Sequence, residues 1–487
     1  MRHFLGLCAL VFALILSACH KAPPEINPAK YAAATQANQW KPDKDRTDIL
    51  LEEEKIAAAD SLTDQSTQDL KLLQLIDIAL KNNPSTRIAW AQAKAAAASW
   101  GMSRSTYYPE INGTVSGAAG RIPALQGGSN FVSTDLNISY LLFDFGGRGA
   151  KAKAAKEALI AANWSHNQAI QDLLRDVPTA YNTYLANVAL QKAQVKNLDE
   201  ANMSLAATEL RRKSGVSTLA DVLLARSKAS QVKVNLAQAK GAVMISQGDL
   251  ARVVGWPANM QFSVHDELKD LPVEKVDESV DGMIEIAKVR RPALNQAFST
   301  LKQKESELTS AKRAPFPTLT GSGDFSWTKM RNNQNTGMYG GVQLNIPIFK
   351  GFEYQNAIKK AKADLQAAQA EFENTEESVI ADVWNAYYNF KTSAEQLIAS
   401  KSLLESSTES YKVSLARYKE GAAEITELLD AQSTLANARA QLIDARTSLY
   451  NSFVALMHAM GSEMDANNST STTYDTIQER NLTDEKR

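Results

Sequence analysis

The second half of this 487-residue sequence repeats, in order, the landmark residues of the first half. Pro84 and Pro292 lie 208 residues apart, as do Pro109 and Pro317, and farther along the spacing becomes 206 residues. A repeat of this length means that one series of elements is built twice, so the two copies must share a fold. The pairs at the spacing of 206 residues include Phe143 with Phe349, Tyr181 with Tyr387, Gly215 with Gly421, and Gly255 with Gly461.

Each copy is predicted to contain a helix, two strands, a very long helix, a turn and a second helix. The linker between the copies contains two prolines and charges of both signs. Asn, Ser and Thr are frequent at the end of the chain, a composition that indicates disorder. The predicted segments are a signal peptide at 1–18, a lipidated leader at 19–70, the first copy at 71–255, the linker at 256–279, the second copy at 280–462 and a disordered tail at 463–487.

Short runs in each copy alternate between polar and apolar residues. The clearest run is 135–142, and 342–346 repeats it in the second copy, with predicted partner strands at 111–117 and 319–327. Alternation with a period of two gives a strand one apolar face and one wet face. The apolar face covers a second sheet in a soluble sandwich, whereas it meets lipid in an outer-membrane barrel.

Two strands in each of two copies give four strands per chain. This number is too small to close a membrane barrel, since the smallest natural barrels have about eight strands. An open sheet in lipid would leave the backbone groups of its edges unpaired, at a cost of several kcal/mol each. If the sheet is a barrel, the chain must therefore oligomerise, and three copies would supply twelve strands.

Between the strands and the glycines the sequence predicts very long helices. The run 148–213 would span roughly 100 Å at about 1.5 Å per residue. Apolar residues recur at coiled-coil spacing in both copies, and Pro178 is expected to kink the first long helix, where the second copy has Trp384. Each long helix is predicted to end at a glycine, Gly215 in the first copy and Gly421 in the second. On the helices alone, an elongated coiled-coil scaffold explains the pattern equally well.

Composition argues against several classes of function. The chain carries 53 basic and 54 acidic residues, so no net field attracts nucleic acid. Its two cysteines are Cys8 and Cys19, so the rest of the chain has neither a disulfide framework nor a cysteine metal site. The five histidines lack metal-binding spacing, and no nucleophile accompanies a base and an orienting group. We therefore expect no enzyme, no metal and no cofactor other than a covalent lipid.

The amino terminus has the pattern of a secreted lipoprotein. Two basic residues precede the apolar run 4–15, which is too short to span a bilayer. The run ends in Leu16-Ser17-Ala18-Cys19, which is typical of a signal-peptide cleavage site and resembles a bacterial lipobox. Cys19 is therefore the predicted lipidation site, and His20 in place of Asp favours export to the outer membrane. The alternative is a plain signal peptide with an incidental cysteine.

Short motifs occur in the same order in the two copies. Tyr108-Pro109-Glu110-Ile111 and Phe316-Pro317-Thr318-Leu319 enter strands, and Tyr418-Lys419-Glu420-Gly421 leads into Leu428-Leu429-Asp430-Ala431-Gln432. With the duplicated order of elements, these motifs make 71–462 resemble the TolC-type outer-membrane efflux channels, in particular the lipoprotein branch that serves drug-efflux systems.

This resemblance implies a mixed α/β membrane protein without catalytic activity. It implies a homotrimer with a twelve-stranded transmembrane β-barrel, four strands per chain, continued by a long α-helical barrel in the periplasm. The periplasmic end would close and open like an iris. The implied partners are a periplasmic adaptor and an inner-membrane, proton-driven pump, and nucleic acid is not among them.

The resemblance also implies site residues at the ends of the long helices. The carboxylates expected at the pore constriction are Glu427 and Asp430, with Asp221 at the matching position of the first copy. The family's arginine latch is not matched, because Ala423 stands there. The expected adaptor-docking tips are Gly215, Val216, Ser217, Gly421 and Ala422. These acids are alternatively plain solvated charges, and the glycines are alternatively plain turns.

Three rival functions remain open at this point. The channel could serve a protein-secretion system or a metal-efflux system in place of drug efflux. The absence of Met and His clusters argues mildly against metal. Outside the channel class, a periplasmic coiled-coil scaffold with small sheets is the alternative.

Overall fold

The computed structural model of the chain describes residues 31–41, 69–121, 128–265, 279–330 and 333–461. Cys19, the predicted tail and much of the predicted leader and linker lie outside the described residues. The first series of elements is α1 (Leu72–Asn82), α2 (Pro84–Ser103), β1 (Glu110–Arg121), β2 (Gly128–Phe143), α3 (Gly147–Lys213) and α4 (Leu219–Val254). The second series is α5 (Val280–Arg290), α6 (Pro292–Arg313), β3 (Thr318–Met330), β4 (Asn333–Asn345), α7 (Glu353–Lys419) and α8 (Ile425–Ala459).

Two helices precede the strands in each series, where the sequence predicted one. The break falls at Asn83 before Pro84 and at Arg291 before Pro292, and both residues before the prolines are extended. A proline ring disfavours helical backbone in the residue before it, and proline itself suits the first position of a helix. The helix therefore ends before each proline and a new one begins at it.

The four strands form one antiparallel sheet in the order β1-β2-β3-β4, so the strands predicted from alternation are confirmed. Directly paired residues lie on the same face of a sheet. The register pairs Leu136 with Phe325, and it thereby sorts the side chains into one apolar and one polar face. The apolar face carries Ile111, Val115, Leu136, Ile138, Tyr140, Phe325, Trp327, Val342 and Leu344.

Hydrogen bonds between side chains cross the polar face of the sheet. Asn137 Nδ2 donates to Asp324 Oδ1 at 2.6 Å across the β2–β3 pair. The hydroxyls of Ser116 and Ser133 lie 2.6 Å apart across the β1–β2 pair. These contacts reinforce the register on the wet side of the strands.

The long helices α3 and α7 contain 67 residues each, which confirms their predicted length. α3 continues through Pro178 without ending there. A proline inside a helix costs about 3 kcal/mol because one backbone hydrogen bond is lost. The flanking side chains of Val177 and Tyr181 are buried, and burying each such side chain contributes about 1.5–3 kcal/mol. Packing of this stretch therefore outweighs the cost of the proline.

The chain divides into two compact units. The first takes the described residues within Met1–Asp43, Ala89–His166 and Ala293–Thr375, and it contains the sheet. The second takes those within Lys44–Ile88, Asn167–Pro292 and Glu376–Arg487. Among the helices that the structure describes, none has both the length and the apolar character needed to cross a bilayer.

Within the first unit, residues 31–41 form an N-terminal strap against α2 and α3. Asn163 Nδ2 donates to the Tyr31 carbonyl and Trp90 Nε1 to the Ala33 carbonyl, both at 2.9 Å. The buried His166 Nε2 lies 3.0 Å from the Gln36 carbonyl. This part of the predicted leader is packed in place although little of it has regular secondary structure.

Candidate functional site: the tips of the helical hairpins

The ends of both long helices lie in the second unit and have the same backbone motif. Gly215 has a φ of 76°, and the N–H of the next residue, Val216, donates to the Arg211 carbonyl at 2.9 Å. Gly421 has a φ of 80°, and the N–H of Ala422 donates to the Arg417 carbonyl at 2.8 Å. This left-handed ending satisfies carbonyls that the helix end would leave unpaired, and glycine adopts it without strain. The two predicted glycine ends are confirmed.

The first tip (214–218) continues into α4 through a reciprocal cap. The Asp221 N–H donates to Thr218 Oγ1 at 3.2 Å, while Asp221 Oδ2 accepts from the Thr218 N–H at 2.8 Å and from Ser217 Oγ at 2.9 Å. The backbone hydrogen bond from Thr218, with help from Ser217, lowers the pKa of the Asp221 carboxyl. Asp221 therefore stabilises the start of α4 in its ionised form.

The second tip (420–424) uses the matching acid in another way. Glu427 stands at the third residue of α8, as Asp221 does in α4. Its Oε1 accepts from Arg417 at 2.5 Å and lies 3.4 Å from Ser414 Oγ. Arg417 also donates to the Ala422 carbonyl at 3.3 Å, so it ties the end of α7 to the start of α8.

Asp430 lies one helical turn beyond Glu427 and its side chain is exposed. Within the part of the chain that the structure describes, no ion pair involves its carboxylate. The three predicted carboxylates thus differ: Asp221 caps a helix, Glu427 pairs with an arginine, and Asp430 faces solvent. The sequence predicted the positions of these residues but not the difference between them.

A contact that the sequence analysis missed joins the two hairpins. The Arg211 guanidinium at the end of α3 lies over the Tyr418 ring, 4.7 Å from its centroid, and donates to the Tyr418 carbonyl. The Tyr418 hydroxyl donates to Thr208 Oγ1 at 3.0 Å. Arg211 and Arg417 occupy matching positions of the two copies, 206 residues apart. One arginine links the two hairpins, while the other stays within its own.

Farther from the tips, a buried ion pair joins α3 to α8. Arg439 donates to both oxygens of Glu200 at 2.7 Å and to Asn197 Oδ1 at 2.6 Å. The Arg439 and Glu200 side chains are 12% and 9% exposed. A bidentate pair of this kind orders both partners, and the additional hydrogen bond to Asn197 occupies a further N–H of the guanidinium.

The docking residues expected at the tips are accessible. The side chain of Val216 is 64% exposed, and Gly421 and Ala422 are exposed as well. Leu219 and Leu223 extend this apolar surface into α4. In the described residues, no three His, Cys, Asp or Glu side chains form a group that could hold a metal. The tips thus present an accessible surface made of turns, charged side chains and apolar side chains.

Comparison with known proteins identifies the family. The family model described as "Outer membrane efflux protein" matches residues 75–256 and 283–462. "Protein CyaE" of Bordetella pertussis is 29% identical over 81% of this chain and 84% of its own length. The "Probable efflux pump outer membrane protein TtgC" of Pseudomonas putida is 26% identical over 88% of this chain and 89% of its own.

A solved structure shares the fold. The outer membrane protein VceC of Vibrio cholerae superposes with a TM-score of 0.71 at 20% sequence identity, over 81% of this chain and 97% of that one. The chain therefore belongs to the outer membrane efflux protein family, the TolC-type channels that its sequence resembles.

Proposed function

We propose that this protein is the outer-membrane exit duct of a tripartite efflux system, a passive conduit for drugs or other small molecules. The observation that carries the proposal is the four-stranded sheet, which has one apolar face, one polar face and two unpaired edges, β1 and β4. In lipid the apolar face would be solvated and the polar face would line water. Family membership supports the same conclusion.

A homotrimer resolves the open edges. Three chains supply twelve strands, and β4 of each chain meets β1 of the next, so that no edge faces lipid. The helices support a ring as well, because α4 and α7 each expose apolar side chains, and these two surfaces differ. A contact between different surfaces of identical chains closes into a ring when the rotation from one chain to the next completes a full turn. The exposed apolar side chains include Leu223, Met244 and Ile245 on α4, and Trp384, Tyr388 and Ile398 on α7.

The tips would form an iris-like gate at the periplasmic end. At the constriction, each subunit would bring three carboxylates close to those of the other subunits: Glu427, Asp430 and Asp221. Their clustered negative charges would repel one another and attract cations. Arg211 would hold the two hairpins of one chain together through Tyr418. It would do so in place of the family's arginine latch, whose position is occupied by Ala423. Opening would then separate Arg211 from Tyr418 while the Arg439–Glu200 pair stays closed.

The proposed partners are those that the family resemblance implies, and the accessible tips offer one of them a surface. An adaptor protein would dock on Val216, Ser217 and the exposed Gly421 and Ala422, and an inner-membrane, proton-driven pump would supply the energy. The related protein TtgC is named as part of an efflux pump, which supports this assignment. Lipidation of Cys19 would add an anchor to the outer membrane, since each buried methylene of an acyl chain contributes about 0.8 kcal/mol to the free energy of membrane binding.

Two measurements on the detergent-purified protein test this proposal. The mass of the protein, corrected for detergent, should be three times that of the mature chain. In planar bilayers the same preparation should conduct ions. A stable monomer with its full strand content would contradict the trimer. A trimer that never conducts would favour the scaffold over the channel.

A further inference from the structure

We propose that β4 of one subunit pairs with β1 of the next in a single register, with Leu344 directly opposite Val115 of the partner subunit. This inference rests on the proposed trimer and adds the residue pairs that close it. The sheet of one chain is a template for the contact between strands of neighbouring chains.

The two hairpins of the sheet have the same register. In the first, Ile111 pairs with Ile138. Moving these positions by 208 and 206 residues, the spacings of the sequence repeat, gives Leu319 and Leu344, which are paired in the second hairpin. The same shift converts the pair of Thr114 and Asp135 in the first hairpin into the pair of Ser322 and Gly341 in the second. The repeat therefore preserves strand pairing to the residue.

The seam between the copies, β2 with β3, is the template for the seam between subunits. In a closed ring, the first and second halves of the repeat would alternate. The second half of each subunit would then meet the first half of the next subunit, as the two halves meet within one chain. The β2–β3 register pairs Leu136 with Phe325 and Ile138 with Gly323. Shifting β2 forward by 206 residues and β3 back by 208 turns these pairs into Val342 with Gly117 and Leu344 with Val115 of the partner subunit.

The resulting seam sorts its side chains correctly. Val342 and Leu344 come from the apolar face of β4, and Val115 comes from the apolar face of β1. On the polar face, Gln343 would lie opposite Ser116 of the partner subunit, where the template has the hydrogen-bonded Asn137 and Asp324. The regular part of the seam would join 338–345 with 114–121 of the partner subunit.

An irregularity in the template also has its counterpart. The β2–β3 register shifts between Leu141 and Phe143. The residue that matches Leu141 in the second copy is Pro347. Proline lacks an N–H, and in sheets it is confined to edges and bulges. The new seam would therefore shift its register at Pro347, as the template does at Leu141.

Other registers conflict with these observations. A slip by one residue would bring Leu344 opposite a polar residue of β1 and turn a whole strand to the wrong face. A slip by two residues keeps the faces but breaks the equivalence that the two hairpins obey. Disulfide trapping separates these cases, because directly opposite Cα atoms lie about 4.5–5.5 Å apart and diagonal ones about 7–8 Å. A disulfide needs about 4.4–6.8 Å.

The test combines Leu344→Cys with Val115→Cys in the full-length protein. Val342→Cys with Val115→Cys is the matched control, diagonal across the seam. Gln343→Cys with Ser116→Cys is a second direct pair on the other face, included because close and wide pairs alternate along an antiparallel seam. Oxidised outer membranes are analysed on non-reducing gels, with each single-cysteine variant beside its pair, and the detergent mass of each variant is measured.

We expect covalent dimer and trimer to be roughly tenfold more abundant for at least one direct pair than for the diagonal pair. Stronger trapping of Val342 with Val115 would overturn the register and leave the trimer intact. A trimeric mass without trapping of any pair would overturn the pairing of these two edges. A monomeric mass for the wild type would instead overturn the proposed trimer itself.

Discussion

The Arg211 guanidinium lies 4.7 Å from the centroid of the Tyr418 ring, and the same side chain donates to the Tyr418 carbonyl. The two residues lie on different hairpins, 207 positions apart in the sequence. A cation over an aromatic ring contributes about 0.5–2 kcal/mol, depending on its exposure to water. A contact of this strength would hold the two tips together in the proposed closed gate and could be broken when the gate opens.

Arg211→Ala should loosen the gate. Loss of about 1–2 kcal/mol changes an equilibrium by a factor of about 5–30, so the open probability in single-channel recordings should rise by this order. Arg212→Ala is the matched control, because Arg212 is the exposed neighbour with the same charge. Equal increases in both variants would show that net charge, and not the contact with Tyr418, controls opening.

Asp430→Asn should weaken block of the channel by multivalent cations, with the half-blocking concentration rising roughly tenfold. The reason is that the Asp430 carboxylate is exposed, whereas that of Glu427 already binds Arg417 at 2.5 Å. Replacing that pair as a whole, Arg417→Gln with Glu427→Gln, leaves the net charge unchanged and should preserve the block. If this double variant loses block as strongly as Asp430→Asn, the cation site needs the Arg417–Glu427 pair as well, and the exposed Asp430 carboxylate does not by itself account for the block.

Arg439→Met should lower the free energy of unfolding of the helical part by about 3–5 kcal/mol, because it leaves the Glu200 carboxylate buried without its partner. The measurement is the thermal unfolding midpoint by circular dichroism. Lys360→Met removes one partner of the exposed Lys360–Asp364 pair and serves as the control, with no expected shift. A midpoint for Arg439→Met that matches the control would contradict a stabilising role for the buried pair.

Lower pH should loosen the N-terminal strap. Burial lowers the pKa of His166 below the ordinary 6.5, so the unfolded chain takes up a proton that the folded chain refuses. Stability contributed by the neutral ring is therefore complete above about pH 6.5 and falls as the pH drops below it. Cleavage of the strap by a protease should accelerate from about pH 7.5 to about pH 5.5 in the wild type. His166→Gln should remove most of this difference, and an unchanged pH dependence in that variant would exclude His166 as its source.

Labelled palmitate should enter the wild-type protein and not Cys19→Ala. Because the strands of the proposed barrel would also hold the chain in the membrane, Cys19→Ala should still fractionate with outer membranes. Equal labelling of the two proteins would refute the predicted lipoprotein, and the segment would then be an ordinary signal peptide.

Features governed by local chemistry were predictable from the sequence. Gly215 and Gly421 end their helices in the left-handed conformation, which glycine adopts without strain. The alternation around Leu136 predicts a strand with two unlike faces. The division of one predicted helix into two could also have been predicted from Pro84 and Pro292, because proline favours the first position of a helix.

Contacts between distant parts of the chain were not predictable in this way. Arg211 looks like any other charge on a helix surface until folding brings Tyr418 beside it. The same holds for His458, whose Nε2 lies 2.8 Å from Asp172 and whose carbonyl accepts from Arg291 at 2.7 Å. Periodicity specifies which face of a helix is buried but not which residue of another helix it meets.

Asp221 and Glu427 stand at the same step of two duplicated helices, yet one caps its own helix and the other holds an arginine. The two tips are encoded by different parts of one gene, so a mutation can alter one tip and leave the other unchanged. A ring built from a chain half as long would have to change every tip at once. Duplication thus gave natural selection two separately adjustable parts, and a protein engineer inherits the same freedom.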